Sequence, residues 1–178
     1  MVDDSDPKWR RLDETARRLD CPGLAVRRLP GLGQTLASGD LWAAAARAGV
    51  DAAGVGALGN AQGATYSVRL ARDRLLIVSE APSPLAAGWS DDGYAVTDVT
   101  GGFDVFEISG AHAADVVARA TNVPITGAGP SAAIVFAGIL GYLYRHGDGL
   151  RLHVERGYSA FIWQWFETLV TTAGWNED

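Results

Sequence analysis

The chain contains 178 residues, 48% of them hydrophobic and 20% charged, which is enough apolar material for one domain with a sizeable core. Its net charge of −6 argues against a general nucleic-acid-binding protein, because such proteins gain affinity by neutralising phosphates. The single cysteine, Cys21, excludes a disulfide framework and a zinc site made of cysteines. The longest apolar run, residues 132–143, is shorter than the about 20 residues of a membrane span, and no secretory signal is recognised. We therefore expect a cytoplasmic protein that binds neither nucleic acid nor membranes.

Residues 1–35 are predicted to form a helical arm outside the main domain. Asp6 and Pro7 are typical of a helix N-cap and first helical position, and the helix is predicted to continue to Asp20. Four apolar residues recur at spacings of three and four among charged residues, namely Trp9, Leu12, Ala16 and Leu19. Because a helix of this length is not stable alone, we expect this stripe to dock on the domain or on another chain.

Residues 36–178 are predicted to form a single α+β domain. A loop over 30–39 leads into it, and a helix over 41–48 follows, capped by Asp40 and stopped by Gly49. A glycine-rich loop is predicted over 51–63, and two strands over 65–70 and 75–79. Alternating or continuous apolar residues then predict strands over 94–99, 103–108, 134–144 and 150–155. Helices are predicted over 111–120, between the second and third of these strands, and over 158–170, at the end.

The order of elements from Phe103 onward is most of a ferredoxin-like split βαβ arrangement. We therefore expect an antiparallel or mixed sheet with helices on one face. In the strand over 150–155, Leu150, Leu152 and Val154 are predicted to face inward, and the residues between them, including His153, to lie on the polar face.

The sequence offers one string that resembles a cofactor motif. Residues 54–59 match G-x-G-x-x-G, and Asp73 follows at nearly the spacing of a ribose-binding acid. Dinucleotide binding also requires a strand before the glycines and a helix after them, and neither is predicted, so we interpret the segment as a loop. The histidines fall on different elements, as His112, His146 and His153. The sequence therefore predicts neither a catalytic residue nor a metal site.

The chain carries more apolar surface than its predicted helices can cover. Both faces of the strand over 134–144 are apolar, with Tyr142 and Tyr144 on one of them, and the two main helices can cover only one face. The last helix has a predicted core face made of Tyr158, Phe161, Ile162, Trp165, Phe166 and Leu169. Trp163 lies off the centre of that face, so it either covers a neighbouring loop or anchors a partner. The candidates for partner contacts are Tyr142, Tyr144, Trp163, Trp9 and Leu12.

Several segments resemble the gamma subunit of heterotetrameric sarcosine oxidase. The segments 96–100 (VTDVT), 103–110 (FDVFEISG) and 114–118 (ADVVA) match a VTDVS, VLEISG and A.DVLA stretch of that family. Residues 73–77 (DRLLI) and 150–165 resemble a further strand and the ending of the family. The resemblance covers roughly residues 65–170. It implies a fold related to the folate-binding domain of aminomethyltransferases.

The resemblance also implies a role within a larger complex. In that family the alpha subunit binds NAD and tetrahydrofolate, and the beta subunit binds FAD and FMN and oxidises an N-methyl amine. The gamma subunit packs on alpha, beside beta and delta, and has no redox cofactor of its own. We therefore expect a non-catalytic subunit of a sarcosine-oxidase-like, folate-linked demethylating oxidase, with no cofactor bound by this chain.

Two other functions remain open at this stage. The chain could be a stand-alone folate-binding or aminomethyltransferase-like protein, in which Asp98 or Glu107 would hold the amino groups of a pterin. The favoured interpretation of Asp98, however, is that it orients a backbone turn. The chain could also be a self-assembling structural module whose N-terminal helix exchanges between copies.

Overall fold

The computed structural model describes residues 18–124 and 127–175, which form an α+β fold with two sheets and three α-helices. In chain order the elements are β1 (Arg18–Cys21), β2 (Leu24–Leu29), β3 (Gly33–Gly39), α1 (Leu41–Ala48), β4 (Asn60–Ala61), β5 (Thr65–Ala71), β6 (Arg74–Ser79), β7 (Gly88–Ser90), β8 (Tyr94–Asp98), β9 (Phe103–Ser109), α2 (Ala113–Ala120), β10 (Ala133–Phe136), β11 (Ile139–His146), β12 (Gly149–Glu155) and α3 (Ser159–Thr172). A short 3-10 turn, Arg156–Tyr158, leads into α3.

The two sheets pack face to face between layers of helix. Sheet A has the strand order β1-β2-β9-β12-β11-β10, with β4 added in parallel to β11, and sheet B has the order β5-β6-β3-β8-β7. One face of sheet A packs against α2 and α3, and the other packs against sheet B. Helix α1 covers the outer face of sheet B. The predicted fold class is therefore confirmed, and sheet A is buried on both faces.

Helix α1 forms where its sequence predicts it. The Asp40 carboxylate accepts hydrogen bonds from the backbone N–H groups of Trp42 and Ala43, both at 3.0 Å, so two N-terminal donors are satisfied. Gly49 ends the helix with φ of 70°, a left-handed conformation that glycine adopts without strain. The helix buries its small residues Ala44 and Ala45 on sheet B.

The described part of the predicted N-terminal arm is not helical. Residues 18–20 belong to β1, which forms a tight hairpin with β2, and β2 pairs with β9 inside sheet A. The loop predicted over 30–39 is mostly β3, the central strand of sheet B. These three strands were missed because short segments that mix polar and apolar residues pair only in a tertiary context that the local sequence does not contain. The remainder of the arm, residues 1–17, lies outside the described residues.

The strand predicted over 134–144 is a hairpin of two strands. Phe136 pairs with Ile139, and the two residues between them have φ of 49° at Ala137 and 87° at Gly138. Positive φ at both central residues is the mark of a type I′ turn, whose twist matches that of a hairpin. The prediction was wrong because the apolar run hides a turn in which alanine stands in a position that usually takes asparagine or glycine.

Helix α3 packs with a face that is rotated from the predicted one. Ile162, Trp163 and Phe166 are buried, whereas Tyr158 and Phe161, which were predicted in the core, are each 47% exposed. The helix is attached at its start by Ser159, whose hydroxyl donates to the Asp104 carboxylate. Asp104 also accepts from Arg28 at 2.6 Å within a buried ion pair. A hydrogen bond to a buried, ion-paired carboxylate therefore holds the first turn of α3 against sheet A.

Candidate functional site

The most concentrated chemistry of the described residues lies between the two sheets. Five polar side chains from both sheets form a continuous hydrogen-bonded chain, which we call the polar layer: Gln34, Tyr66, Tyr144, Arg151 and His153. Arg151, His153 and Tyr144 project from sheet A, and Tyr66 and Gln34 from sheet B. All five are buried, and His153 and Tyr144 have no exposed surface.

The direction of every hydrogen bond in the polar layer follows from its two ends. The Phe103 carbonyl can only accept, so the Gln34 amide nitrogen faces it at 3.1 Å and the Gln34 oxygen faces His153. His153 therefore carries its proton on Nδ1, which donates to Gln34 at 2.7 Å. His153 Nε2 is left as an acceptor, and the Tyr144 hydroxyl donates to it at 2.6 Å.

The chain continues from Tyr144 in the same sense. The Tyr66 hydroxyl donates to the Tyr144 oxygen at 2.8 Å, and Arg151 Nη1 donates to the Tyr66 oxygen at 2.7 Å. Each hydroxyl thus accepts once and donates once, so the bonds polarise one another in one direction. The order from donor to acceptor is Arg151, Tyr66, Tyr144, His153, Gln34 and the Phe103 carbonyl.

Burial keeps the histidine and the two tyrosines of the polar layer neutral. Burial, and then the neighbouring Arg151 guanidinium, lowers the pKa of His153 from 6.5 to about 3. Burial raises the pKa of Tyr66 and raises that of Tyr144 well above its ordinary value, so both hydroxyls keep their protons. A buried chain of hydrogen bonds whose histidine and tyrosines stay neutral is suited to holding two sheets in one register rather than to exchanging protons with a substrate.

Two sequence interpretations are corrected by the polar layer. His153 was predicted on a solvated face, and Tyr144 was a candidate for partner contact, yet both are completely buried. The alternation along β12 was read correctly, but its polar face packs on sheet B rather than on water. β12 lies in the middle of sheet A, between β9 and β11, so neither of its faces is free once sheet B packs on that sheet. The sequence of β12 alone does not show this second sheet.

The two candidate folate-binding carboxylates lie in different sheets. Asp98 ends β8 in sheet B and is exposed, and its carboxylate accepts from the Thr100 backbone N–H at 2.9 Å. That hydrogen bond and one from the Thr100 hydroxyl lower the pKa of Asp98. Glu107, in sheet A, accepts from Arg27 at 2.8 Å and has Arg151 within 3.7 Å. Asp98 therefore orients a turn, and Glu107 links a surface arginine to the polar layer.

The remaining partner-contact candidates have different surroundings. Trp163 is 4% exposed, packs on Phe106 and donates from Nε1 to Glu167 at 2.7 Å, so it covers its own fold and is not accessible to a partner. Tyr142 is half-buried, with its ring edge-on to Phe103 at 5.6 Å between centroids. Trp9 and Leu12 lie outside the described residues.

The glycine-rich segment is a loop, as predicted. Ala57 donates to the Ser131 carbonyl and Gly129 donates to the Ala57 carbonyl, each at 2.8 Å, so residues 54–59 pack against the loop before β10. A Cβ on Gly56 would lie 1.7 Å from the Gly129 oxygen, so this position admits only glycine. The segment is followed by β4 rather than by a helix, which excludes the dinucleotide-binding geometry. Gly56 therefore serves a close approach of two backbones.

Exposed apolar side chains mark two other regions of the surface. Trp42, on the outer side of α1, is 76% exposed, and Trp89, on the edge strand β7, is 73% exposed. Large apolar side chains are also exposed where β10, β11 and the start of α3 meet, namely Val135, Leu140, Tyr158 and Phe161. Tryptophan is enriched at the centres of protein interfaces, so the largely exposed Trp42 and Trp89 are the better candidates for partner contacts.

Within residues 18–124 and 127–175 no group of three or more His, Cys, Asp and Glu side chains is placed to hold a metal ion. In the same ranges no helix has both the length and the apolar character that crossing a membrane requires.

Comparison with known proteins gives one informative likeness. No protein-family model and no curated protein sequence matches the chain. Among solved structures, the chain is similar to a chain of the heterotetrameric sarcosine oxidase from Corynebacterium sp. U-96, solved in complex with pyrrole 2-carboxylate. The TM-score is 0.63 at 19% sequence identity, and the match covers 76% of this chain and 77% of that chain. The likeness shows a shared fold.

Proposed function

We propose that this chain is a non-catalytic, gamma-type subunit of a heterotetrameric, sarcosine-oxidase-like and folate-linked N-demethylating flavin oxidase. The observation that carries the proposal is the fold likeness to a chain of such a heterotetramer over about three quarters of both chains. Nearly equal coverage means that the two chains have similar lengths. A small chain of this size fits the gamma-type subunit and not the large alpha-type one.

The chemistry of the polar layer supports a structural rather than a catalytic role. Its members are buried and bonded to one another across the two sheets, and its histidine and both tyrosines are kept neutral by burial. Asp98 and Glu107 are the acids considered for a pterin. The Asp98 carboxylate accepts a hydrogen bond within a turn, and the Glu107 carboxylate faces Arg27 and Arg151. In this proposal NAD, tetrahydrofolate, FAD and FMN are held by the alpha-type and beta-type subunits.

Trp42 and Trp89 are the proposed anchors for the alpha-type subunit. Both project from the sheet B half of the molecule, Trp42 from α1 and Trp89 from the edge strand of the sheet. Removing two largely exposed indoles from water supplies several kcal/mol of favourable free energy, of the order that a hot spot requires. In this proposal the complex also contains beta-type and delta-type subunits and is cytoplasmic.

Co-expression tests this proposal. The full chain, produced together with the alpha-type subunit of a sarcosine-oxidase-like complex from the same organism, is expected to co-purify in a stoichiometric complex. Combined Trp42→Ala and Trp89→Ala substitutions are expected to weaken binding at least tenfold, which corresponds to about 1.4 kcal/mol. Tyr158→Ala is the matched control, because it removes an exposed aromatic ring elsewhere, and it is expected to leave binding unchanged.

Two outcomes would contradict the proposal. If the folded chain stays separate from the alpha-type subunit, the chain is not its partner. If the isolated chain binds a reduced folate with micromolar affinity in a calorimetric titration, and Asp98→Asn or Glu107→Gln abolishes that binding, the stand-alone folate-binding function replaces it. Loss of complex formation in Tyr158→Ala, with retention in the tryptophan variant, would move the interface to the other region.

A further inference from the structure

Sheet B ends differently on its two sides. The outer side of β5 is covered by this chain, since Val55 pairs in parallel with Val68 and the Ala132 N–H donates to the Arg69 carbonyl at 2.7 Å. On the other side the sheet ends at β7, and no strand within residues 18–124 and 127–175 pairs with its outer edge. An unpaired strand edge is a template for a further strand, so proteins usually cover or disguise such edges.

The hydrogen bonds of β8 show which way the backbone of β7 faces. Just before β8, the Gly93 carbonyl accepts from the Asp40 N–H at 3.0 Å. Just after β8, the Val99 N–H donates to the Gln34 carbonyl at 2.9 Å. Backbone groups of successive residues point to alternate sides of a strand, so odd-numbered residues along β8 bond toward β3 and even-numbered ones toward β7.

The backbone N–H and C=O groups of Trp89 point to the free edge of sheet B. The even-numbered residues Tyr94 and Val96 pair with Ser90 and Gly88, so β7 bonds to β8 through these two residues. Trp89 lies between them, and its backbone groups therefore point away from β8. Its indole is also 73% exposed. One residue thus offers a donor, an acceptor and an aromatic ring at the same edge.

The chain around this edge is acidic. Residues 81–98 contain Asp91, Asp92 and Asp98 and no lysine or arginine. All three aspartates are exposed, and the first two follow β7 directly in the turn to β8. A second copy of this chain would bring the same acids and a net charge of −6. Charge complementarity therefore favours a cationic partner over a second copy.

We propose that an extended segment of the alpha-type subunit, carrying lysine or arginine, adds to sheet B as a strand along β7. Its backbone accepts from the Trp89 N–H and donates to the Trp89 carbonyl, and its cationic side chains face Asp91 and Asp92. This inference rests on the proposed subunit function. It adds the binding mode and the chemistry of the partner segment.

Amide hydrogen exchange tests the added strand. The Trp89 amide is expected to exchange at least about tenfold more slowly when the full chain is bound to the alpha-type subunit than when it is free. The Ile77 amide, in the interior strand β6, is the internal reference and is expected to keep its rate. A complex in which the Trp89 amide exchanges as in the free chain would overturn the added strand and leave the subunit function intact. Absence of any complex would overturn both.

The same measurement on the isolated chain separates the other occupants. The Trp89 amide is expected to exchange rapidly at every protein concentration. Slow exchange that depends on concentration would show that a second copy occupies the edge. Slow exchange that is independent of concentration would show that a segment of this chain occupies it. Either result would overturn the proposal.

Two substitutions at one position separate the backbone contact from the ring. Trp89→Ala removes the indole, and Trp89→Pro also removes the N–H. Because that N–H points to the free edge, proline removes no hydrogen bond between β7 and β8. We expect the proline variant to bind the alpha-type subunit at least about tenfold more weakly than the alanine variant. Equal binding of the two folded variants would overturn the added strand.

The charge of the partner segment is tested by salt dependence. Combined Asp91→Asn and Asp92→Asn substitutions are expected to slow association at low salt at least about threefold and to weaken its dependence on salt. Combined Asp73→Asn and Asp148→Asn substitutions are the matched control, because they remove two exposed acids from other turns, and they are expected to have little effect. Equal effects of the two double variants would overturn the assignment of a cationic segment.

Discussion

The two faces of sheet A are both buried, yet they are built from opposite chemistry. The face toward α2 and α3 is filled by aromatic and aliphatic groups such as Phe106, Phe136 and Phe166, whose rings meet edge-on or tilted at about 6 Å. The face toward sheet B carries the polar layer, with His153 and Tyr144 at its centre. Apolar packing is non-directional and tolerates small rotations of a helix, whereas a chain of hydrogen bonds has one arrangement. Apolar packing therefore attaches the helices to sheet A, whereas directional hydrogen bonds fix the position of sheet B relative to it.

The largest expected effect is acid destabilisation through His153. Its pKa is about 3 in the folded chain, against an ordinary value of 6.5 in the unfolded chain, so the unfolded state binds the proton first as pH falls. The stabilising contribution is complete above pH 6.5 and is lost as pH falls to about 3, by roughly 5 kcal/mol in total. Urea unfolding measured at several pH values between 7 and 3.5 should show this loss.

The His153→Gln variant isolates that contribution from the acidic groups. Other carboxylates, including the Asp104 that pairs with Arg28, also weaken the fold in acid, so the slope of the wild-type chain alone is not diagnostic. The variant is expected to be less stable at pH 7 but to lose about 1.4 kcal/mol less per pH unit below 6.5. Parallel slopes for both chains would show that His153 is not held neutral by burial.

Truncation of Phe166 tests the apolar face. The ring is fully buried and touches Phe106, Phe136 and Trp165, so Phe166→Ala leaves a cavity that the surrounding rings cannot fill. We expect a loss of about 3–5 kcal/mol in the free energy of unfolding. Phe161→Ala on the same helix is the control and should cost less than about 1 kcal/mol, because that ring is half-exposed. Similar losses in both would contradict the observed rotation of α3.

Removal of one hydroxyl tests the polar face. Tyr144→Phe keeps the ring but removes the donor to His153 and the acceptor for Tyr66, so two buried groups lose a partner. The expected cost is about 1–3 kcal/mol, measured by chemical unfolding. Tyr158→Phe, at an exposed ring, should change stability by no more than a few tenths of a kcal/mol. A neutral Tyr144→Phe would mean that packing alone holds the two sheets together.

The sequence predicts the elements that have local signals better than it predicts the polar layer. The signals for α1, β5, β6, β9 and β12 are local, because caps and alternation depend on neighbours in the chain, and these elements form where they are predicted. The polar layer joins residues up to 119 positions apart, such as Gln34 and His153. No local pattern distinguishes a polar residue that faces water from one that faces a second sheet.

The burial of Trp163 shows the same difficulty on the helix side. Helical periodicity places it off the centre of the predicted core face, but the anchoring of Ser159 on Asp104 determines how α3 is rotated. That hydrogen bond lies between residues 55 positions apart and cannot be predicted from the sequence of the helix alone. The exposed Trp42 and Trp89 were not singled out either, because exposure depends on which faces the other elements leave open.

The smallest expected effect concerns the turn of the β10–β11 hairpin, which carries residues for both faces of sheet A. Ala137 has φ of 49°, a conformation that a Cβ disfavours, whereas asparagine tolerates it and is common in type I′ turns. The Ala137 N–H donates to the Ala120 carbonyl at 2.8 Å, and Ala137→Asn keeps that bond. We expect the substitution to stabilise the chain by about 0.5–1 kcal/mol in thermal or chemical unfolding.

Gly138→Ala is the matched opposite of that substitution. Gly138 has φ of 87°, and a Cβ there would meet nothing within 4 Å, so any cost must come from the backbone conformation alone. The expected loss is about 1 kcal/mol or slightly more. Opposite signs at two adjacent positions would show that the turn type, and not the apolar run around it, ends β10. A destabilising Ala137→Asn together with a neutral Gly138→Ala would instead favour the continuous strand that the sequence alone predicts.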